Sequence, residues 1–319
     1  MENKNRIISE LETMRQMDYA EGRKFQAVAY QKAIQQLKAF QGEVTSAEDV
    51  ADLPGIGAKI KLKIQEILTT GGLAAAAKAR EDPKFSLYDT LLKIYGVGPA
   101  KAKSLMAEGI KSLEELRGRE DLLTAAQKIG LQYYNDFTLR IPREEMKKHE
   151  ETILGSLDKA FKGQVVGSYR RGAADSGDID VLLTLPDTMS EADRVKLFTK
   201  TVKELQKGYM KGVLAFGKSK CLCVSQLDGK PARRLDLLMV PQAEFAYAIL
   251  YFTGSDLFNV AFRAHALEKG YTMNEHGMTP TATGPVPPFM KEERDIFTFL
   301  GLAYVEPQNR KGKTDVTKL

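Results

Sequence analysis

Asp178 and Asp180 stand two residues apart and lead into an apolar run, Val181-Leu182-Leu183. On a β-strand that spacing puts both carboxylates on one face. Like charges held so close repel, and a divalent cation between them is the usual reason to tolerate it. Two carboxylates are few for holding Mg²⁺ unaided, which suits a site where substrate phosphates add oxygens. Just upstream, Gly167-Ser168 offers unhindered backbone N–H groups and a hydroxyl, and Arg170 and Arg171 add fixed positive charge. Such a turn suits a polyphosphate. Asp-x-Asp alone more often marks a surface strand with solvated acids; joined to Gly-Ser and the arginines, it favours a metal–phosphate site. A third acid, Asp236, interrupts the apolar end of Arg233-Arg234-Leu235-Asp236-Leu237-Leu238. Burying it without a partner would be costly. Beside Asp178 and Asp180 it completes a three-carboxylate cradle for two metal ions; a salt bridge to Arg234 on the same strand face is the alternative, and both can hold at once.

The elements that must position these groups are short strands bounded by turn residues, expected at 164–166, 179–185, 221–227 and 233–240. A helical or loop segment falls between the Gly-Ser turn and the Asp178 strand. Residues 5 to about 80 read instead as helices: Ile7, Ile8, Leu11, Met14 and Met17 recur at helical spacing, as do Phe25, Ala29, Ala33, Ile34 and Leu37. Leu53-Pro54-Gly55-Ile56-Gly57 breaks that pattern and has a near repeat at Ile94-Tyr95-Gly96-Val97-Gly98-Pro99. Each Gly-x-Gly opens a helix bearing lysines, Lys59, Lys61 and Lys63 in the first and Lys101 and Lys103 in the second. Glycine lets the backbone approach a ligand, and a helix N-terminus presents free N–H groups to an anion. One such turn is commonplace. Two, each after an apolar helix end, make a helix-hairpin-helix grip on a DNA phosphate backbone.

With 319 residues, 43% apolar and 28% charged, the chain has room for two or three units and reads as an ordinary globular protein. The longest apolar runs fall short of a membrane span, and Met-Glu-Asn-Lys has no signal-peptide pattern, so an intracellular setting, nucleus or cytoplasm, is expected. Cys221 and Cys223 are expected on opposite faces of a strand, which argues against a disulfide and fits a reducing compartment. Three histidines and two cysteines leave no zinc-site spacing. A net charge of +5 permits an anionic partner. Breaks at Glu81-Asp82-Pro83, at Arg140-Ile141-Pro142 and after the last strand divide the chain into 1–81, 82–141, 142–242 and 243–319.

In their order and specificity the two hairpins, Arg140-Ile-Pro-Arg-Glu-Glu-Met146, Gly167-Ser-Tyr-Arg-Arg-Gly172, Gly177-Asp-Ile-Asp180, Arg234-Leu-Asp236, Tyr251-Phe-Thr-Gly-Ser-Asp-Leu-Phe-Asn259, Arg263-Ala-His-Ala-Leu-Glu-Lys-Gly270 and Tyr304-Val-Glu-Pro307 carry a resemblance. The sequence resembles the X family of DNA polymerases, its beta-type members above all, over nearly its whole length, with no further N-terminal module expected. The resemblance implies an α+β, multidomain fold. N-terminal all-α helix-hairpin-helix units, a lyase-like domain and a duplex-binding subdomain, would precede a nucleotidyltransferase-type palm with a small mixed β-sheet and a C-terminal α+β subdomain for nucleotide selection. It implies a gap-filling repair polymerase that binds DNA with a gap or nick and a dNTP, works as a monomer and uses two Mg²⁺ ions, Mn²⁺ being able to substitute. A monovalent cation at each helix-hairpin-helix is implied as well. Asp178, Asp180 and Asp236 would hold the Mg²⁺ ions, and Arg234 would steady Asp236. Arg140, Ser168, Arg171 and Gly177 match triphosphate contacts. Tyr251, Phe252 and Gly254 would exclude a 2′-hydroxyl, Asp256 and Asn259 would lie against the incoming base, and Arg263 would probe the template. Gly55, Gly57, Lys59, Gly96, Gly98 and Lys101 would grip DNA. Lys63, near Tyr30, matches the Schiff-base lysine of a 5′-deoxyribose-phosphate lyase.

Gln26, Ala74 and Ala75 depart from cationic positions of the family, and residues 1–81 hold twelve Lys and Arg against eleven Asp and Glu. Val260, Leu238 and His276 depart near the nucleotide site. Template-independent nucleotide addition by the same metal core and a non-catalytic DNA-binding scaffold are the competing readings.

Overall fold

In the computed structural model, which describes residues 2–40, 42–282, 284–312 and 315–317, the apolar run after Asp178 is a central strand. The chain divides into two compact units, Met1–Tyr134 and Asn135–Leu319.

The first unit is helical: α1 (Glu2–Ala20), α2 (Lys24–Ala39), α3 (Ala58–Thr70), α4 (Ala74–Glu81), α5 (Pro83–Leu92), α6 (Pro99–Ala107), α7 (Leu113–Arg117) and α8 (Ala125–Gln132), with the one-turn α9 (Tyr134–Phe137) at the division. Ile7, Leu11, Ile64 and Ile67 are fully buried in one core, and Tyr88, Leu91, Ala102 and Leu131 anchor a second. Each such large apolar side chain contributes roughly 1.5–3 kcal/mol by leaving water. The stripe expected on α2 is rotated. Its buried face is Ala27, Tyr30, Ala33, Ile34 and Leu37, whereas Phe25 and Ala29 face solvent. The Asp82-Pro83 break is a helix start: Pro83 occupies the first helical position, and the Asp82 carboxylate accepts from the Lys84 N–H at 2.8 Å.

The second unit runs β1 (Ile141–Pro142), α10 (Arg143–Gly155), β2 (Lys162–Val165), α11 (Gly167–Arg170), β3 (Asp175–Ser176), β4 (Ile179–Thr184), α12 (Glu191–Leu205), β5 (Met210–Phe216), β6 (Lys220–Ser225), β7 (Arg233–Met239), α13 (Gln242–Thr253), α14 (Asp256–Glu268), β8 (Tyr271–Asn274), β9 (Gly277–Pro280) and α15 (Glu293–Phe299). The main sheet has the order β2-β4-β7-β6-β5. Only β4 and β7 pair in parallel, a crossover that α12 and the β5–β6 hairpin supply. Small β1–β3 and β8–β9 ladders complete the strands among the described residues. The fold is α+β and multidomain, helical at the N-terminal side with a mixed five-stranded sheet following.

Cys221 and Cys223 correct the expectation of opposite faces. Residues two apart on a strand share a face, and both thiols are free and fully buried in the core under the sheet. Beneath the same sheet, α10 carries a buried polar cluster. Arg233 Nε donates to Glu145 Oε1 at 2.7 Å, and His149 Nδ1 lies 2.5 Å from the Tyr209 hydroxyl. His149 has no solvent exposure, and that burial pushes its pKa down to about 4.

Candidate functional site: a carboxylate cluster beside a phosphate turn

The parallel register of β4 on β7 sets Asp180 directly opposite Asp236. Asp178 lies just before β4, two residues from Asp180, and meets Arg234 Nη2 at 2.5 Å. Three carboxylates and one guanidinium therefore share one edge of the sheet. Burial, with Asp178 and Asp236 adding to it, pushes Asp180 up to about 7. Asp236 is raised as well, first by burial, although Arg234 opposes the shift. Among the described residues no three His, Cys, Asp or Glu side chains converge as a ready ligand group, and Asp178 pairs with Arg234.

The donor chemistry nevertheless fits a hard divalent cation: all three groups are carboxylates, and their mutual repulsion is what such an ion relieves. The close approach of the phosphate turn fits it too. Gly167 has φ +65°, and a Cβ there would stand 3.0 Å from Asp180 Oδ2. Only glycine allows that turn to lie against the acid.

The turn itself is α11, tied in place from three sides. Ser168 Oγ donates to Ser176 Oγ at 3.0 Å, and Arg171 Nη1 donates to the Thr253 carbonyl at 2.6 Å. Arg170 donates to Thr253 Oγ1 at 2.8 Å and pairs with Glu293 at 2.9 Å. Arg140 sits at the rim, exposed, its guanidinium on Asp175 at 2.7 and 2.9 Å. A Cβ on Gly177 would stand 3.0 Å from its Nη1, so the two expected contacts are neighbours.

Tyr251 and Phe252 close α13 with their rings edge-to-face, 5.2 Å between centroids. The chain then turns at Gly254, φ +67°, where a Cβ would lie 3.2 Å from Arg171 Nη1. Asn259 Nδ2 donates back to the Tyr251 carbonyl at 2.8 Å and holds the turn shut. Asp256, Asn259 and Arg263 fall at helical spacing on one face of α14. The structure thus joins the phosphate turn to the Thr253-Gly254 turn through Arg170 and Arg171. Of the departing residues, Val260 is exposed on α14, Leu238 lies on β7, and His276 meets Glu244 at 2.8 Å, which raises the imidazole pKa.

Glu293 escaped the sequence reading. Burial alone would raise it, but Arg310 and Arg170 hold its carboxyl below the ordinary range. Arg310 is fully buried among Phe258, Phe297 and Tyr304. No short-range pattern signals this pair of ion bridges, since Arg170 and Glu293 are 123 residues apart.

The two hairpins of the helical unit have matching backbones. Gly55 and Gly96 take φ +86° and +78°, and Gly57 and Gly98 sit as extended N-caps of α3 and α6. No side chain caps either helix, so each leaves N–H groups for an outside anion. Lys59 is exposed and Lys63 half-buried on α3. Lys101 donates to the Leu122 carbonyl, and Lys61 pairs with Glu48 at 2.6 Å. Tyr30 is 8% exposed and belongs to the core, its hydroxyl raised by burial. Phe25, absent from the expected contacts, is 92% exposed on α2.

Four family models match the chain in succession: a helix-hairpin-helix domain over residues 2–73, the fingers domain of DNA polymerase lambda over 89–138, the DNA polymerase beta palm over 140–242 and the DNA polymerase beta thumb over 248–311. The chain is 36% identical to the DNA polymerase lambda of Rattus norvegicus across 95% of its own length and 56% of that protein. It is 32% identical to the DNA polymerase lambda of Arabidopsis thaliana across 88% of its length and 57% of that protein. It thus spans little more than half the length of these relatives. No helix among the described residues is long and apolar enough to cross a membrane. Modules of one family in unbroken order, around a sheet that pairs Asp180 with Asp236, place the chain in the X family of DNA polymerases.

Proposed function

We propose that the chain is a template-directed DNA polymerase of the repair type, filling short gaps by nucleotidyl transfer from a dNTP to a primer 3′-hydroxyl. The parallel pairing of Asp180 with Asp236, with Asp178 on the same edge, is the observation that carries this reading. Asp178, Asp180 and Asp236 would hold two Mg²⁺ ions, which when bound would supply charge neutralisation at the entering and leaving oxygens. Asp236 would contact the ion nearest the primer end and help activate the primer 3′-hydroxyl. Arg234 releases Asp178 for its ligand role and steadies Asp236.

Ser168, the free N–H groups at the start of α11 and Arg171 hold the triphosphate, with Arg140 and Gly177 closing its far side. Tyr251, Phe252 and Gly254 bar a 2′-hydroxyl, Asp256 and Asn259 line the base, and Arg263 reads the template. Residues 1–81 and 82–141 grip DNA through Gly55, Gly57 and Lys59 and through Gly96, Gly98 and Lys101. Residues 142–242 carry the chemistry, and 243–319 select the nucleotide. The protein acts as a monomer inside the cell, with Mn²⁺ as a substitute ion and a monovalent cation at each hairpin. A weak 5′-deoxyribose-phosphate lyase activity rests on Lys63.

Primer extension on nicked, single-gapped and open-template DNA, each with and without a 5′-phosphate, tests the proposal. Fastest extension on the gapped, 5′-phosphorylated substrate is expected. Equal extension without a template would replace it with template-independent addition.

A further inference from the structure

Arg143 opens α10, three residues after Arg140 at the rim of the nucleotide site. Its side chain makes no ion pair among the described residues. One nitrogen, Nη1, donates instead to two backbone carbonyls of the phosphate turn, that of Tyr169 at 2.9 Å and that of Ala173 at 3.2 Å. The guanidinium also lies over the Tyr169 ring, 4.6 Å from its centroid. The Arg143 backbone N–H donates to the Ala174 carbonyl at 2.9 Å. Hydrogen bonds from a charged donor are about twice as strong as neutral ones, and a cation over a ring face adds to them.

Those carbonyls flank the residues assigned to the triphosphate. Ser168 precedes Tyr169, and Arg171 falls between the two bonded carbonyls in the chain. The backbone reverses within that span: Gly172 has φ +79°, its N–H donates to the Tyr169 carbonyl at 3.0 Å, and the Ala173 N–H donates to the Ser168 carbonyl at 3.1 Å. Arg143 therefore pins both arms of the turn. A second hold comes from Glu150, two helical turns further along α10, whose Oε2 accepts from the Tyr169 hydroxyl at 2.7 Å. Burial and then Glu150 push that hydroxyl up to about 12, so it stays a donor.

We propose that Arg143 is a positioning residue for the incoming triphosphate: anchored on α10, it fixes the carbonyls of the phosphate turn so that Ser168 and Arg171 face the phosphates. The assignment rests on the polymerase reading of this site. Arg143 acts through the turn rather than on the nucleotide.

Single-turnover incorporation into single-gapped DNA by the full chain measures dNTP affinity and rate separately. Arg143→Met keeps the apolar stem against the ring and removes both donors. It is expected to raise the dNTP Kd about tenfold, with the rate at saturation changed by less than about threefold. Because Nη1 alone makes both bonds, Arg143→Lys, whose ammonium has three donors, restores most of the affinity. Inorganic tripolyphosphate, which carries neither sugar nor base, competes with dNTP, and its inhibition constant rises in Arg143→Met by the same factor. Affinity for the gapped DNA stays unchanged. If circular dichroism shows Arg143→Met unfolded, Arg143→Gln, polar but too short to span both carbonyls, replaces it. An unchanged dNTP Kd, a loss that Arg143→Lys does not restore, or a tripolyphosphate constant that does not follow overturns the positioning role while wild-type extension of gapped DNA still stands. No extension by the wild type overturns the polymerase reading, and this role with it.

Discussion

Asp180, raised first by burial and then by Asp178 and Asp236, is the residue at which the proposed metal site is most directly tested. Asp178→Ala or Asp180→Ala is expected to lower nucleotide incorporation by a factor on the order of 10³ or more while DNA affinity stays within a small factor. Single-turnover extension and a binding titration read the two quantities separately; Mg²⁺-dependent extension surviving in either variant would remove the acids from the metal site. Tyr251 makes a sharper statement about the sugar. It ends α13 at a turn that Asn259 fastens from α14. Tyr251→Ala is expected to narrow the preference for dNTP over rNTP by roughly tenfold, about 1.4 kcal/mol. Competition kinetics in which the wild type uses both sugars equally would contradict it. Asp178 and Asp180 were legible from spacing because a two-residue period fixes a strand face, and Asp236 because a lone acid interrupts an apolar strand. Glu293 was not, since nothing near it in sequence announces two arginines.

At the scale of elements, the matching hairpins predict a shared electrostatic role. DNA affinity should fall steeply with salt, and Lys59→Ala and Lys101→Ala should each lower the log–log slope by roughly one. An unchanged slope in both would refute the hairpin assignment. On α3, Lys63 should form a borohydride-trapped adduct with DNA ending in a 5′-deoxyribose phosphate, and Lys63→Ala should remove most of it. An undiminished adduct in that variant would exclude Lys63 as the nucleophile. The helix periods were readable; on α2 the expected Ala33, Ile34 and Leu37 are buried, but the first two turns bury Ala27 and Tyr30 in place of Phe25 and Ala29. Phe25 is apolar and falls on the helical period, but packing chose Tyr30, which joins the core. Four strands were visible as apolar runs. The two-residue β1 and β3 carry too few residues for any period, and the bulged β5 has no clean alternation.

Across the molecule, the cluster beneath the sheet ties stability to pH. His149 is neutral in the fold, with a pKa near 4 against 6.5 for the free side chain. A group depressed on folding stabilises above its unfolded pKa, and that contribution is lost as pH falls toward the folded value. Unfolding free energy should therefore drop by roughly 2–3 kcal/mol between pH 7 and pH 4.5 from this residue. Urea unfolding of His149→Gln should flatten that part of the profile; an unaltered profile would assign the loss elsewhere. The order of modules was legible because glycine hairpins and strand motifs are local, and β6 was visible as the run at 221–227, whereas α12 and β5 were not read as elements. That crossover has a consequence for how the gene can change. Asp180 and Asp236 meet because β4 and β7 are in register, and the chain between them loops out and back. Codons inserted in that excursion lengthen a loop and leave the acids facing each other. One codon added or lost inside β4 before Asp180, or inside β7 before Asp236, turns every later side chain of that strand to the opposite face and parts the pair.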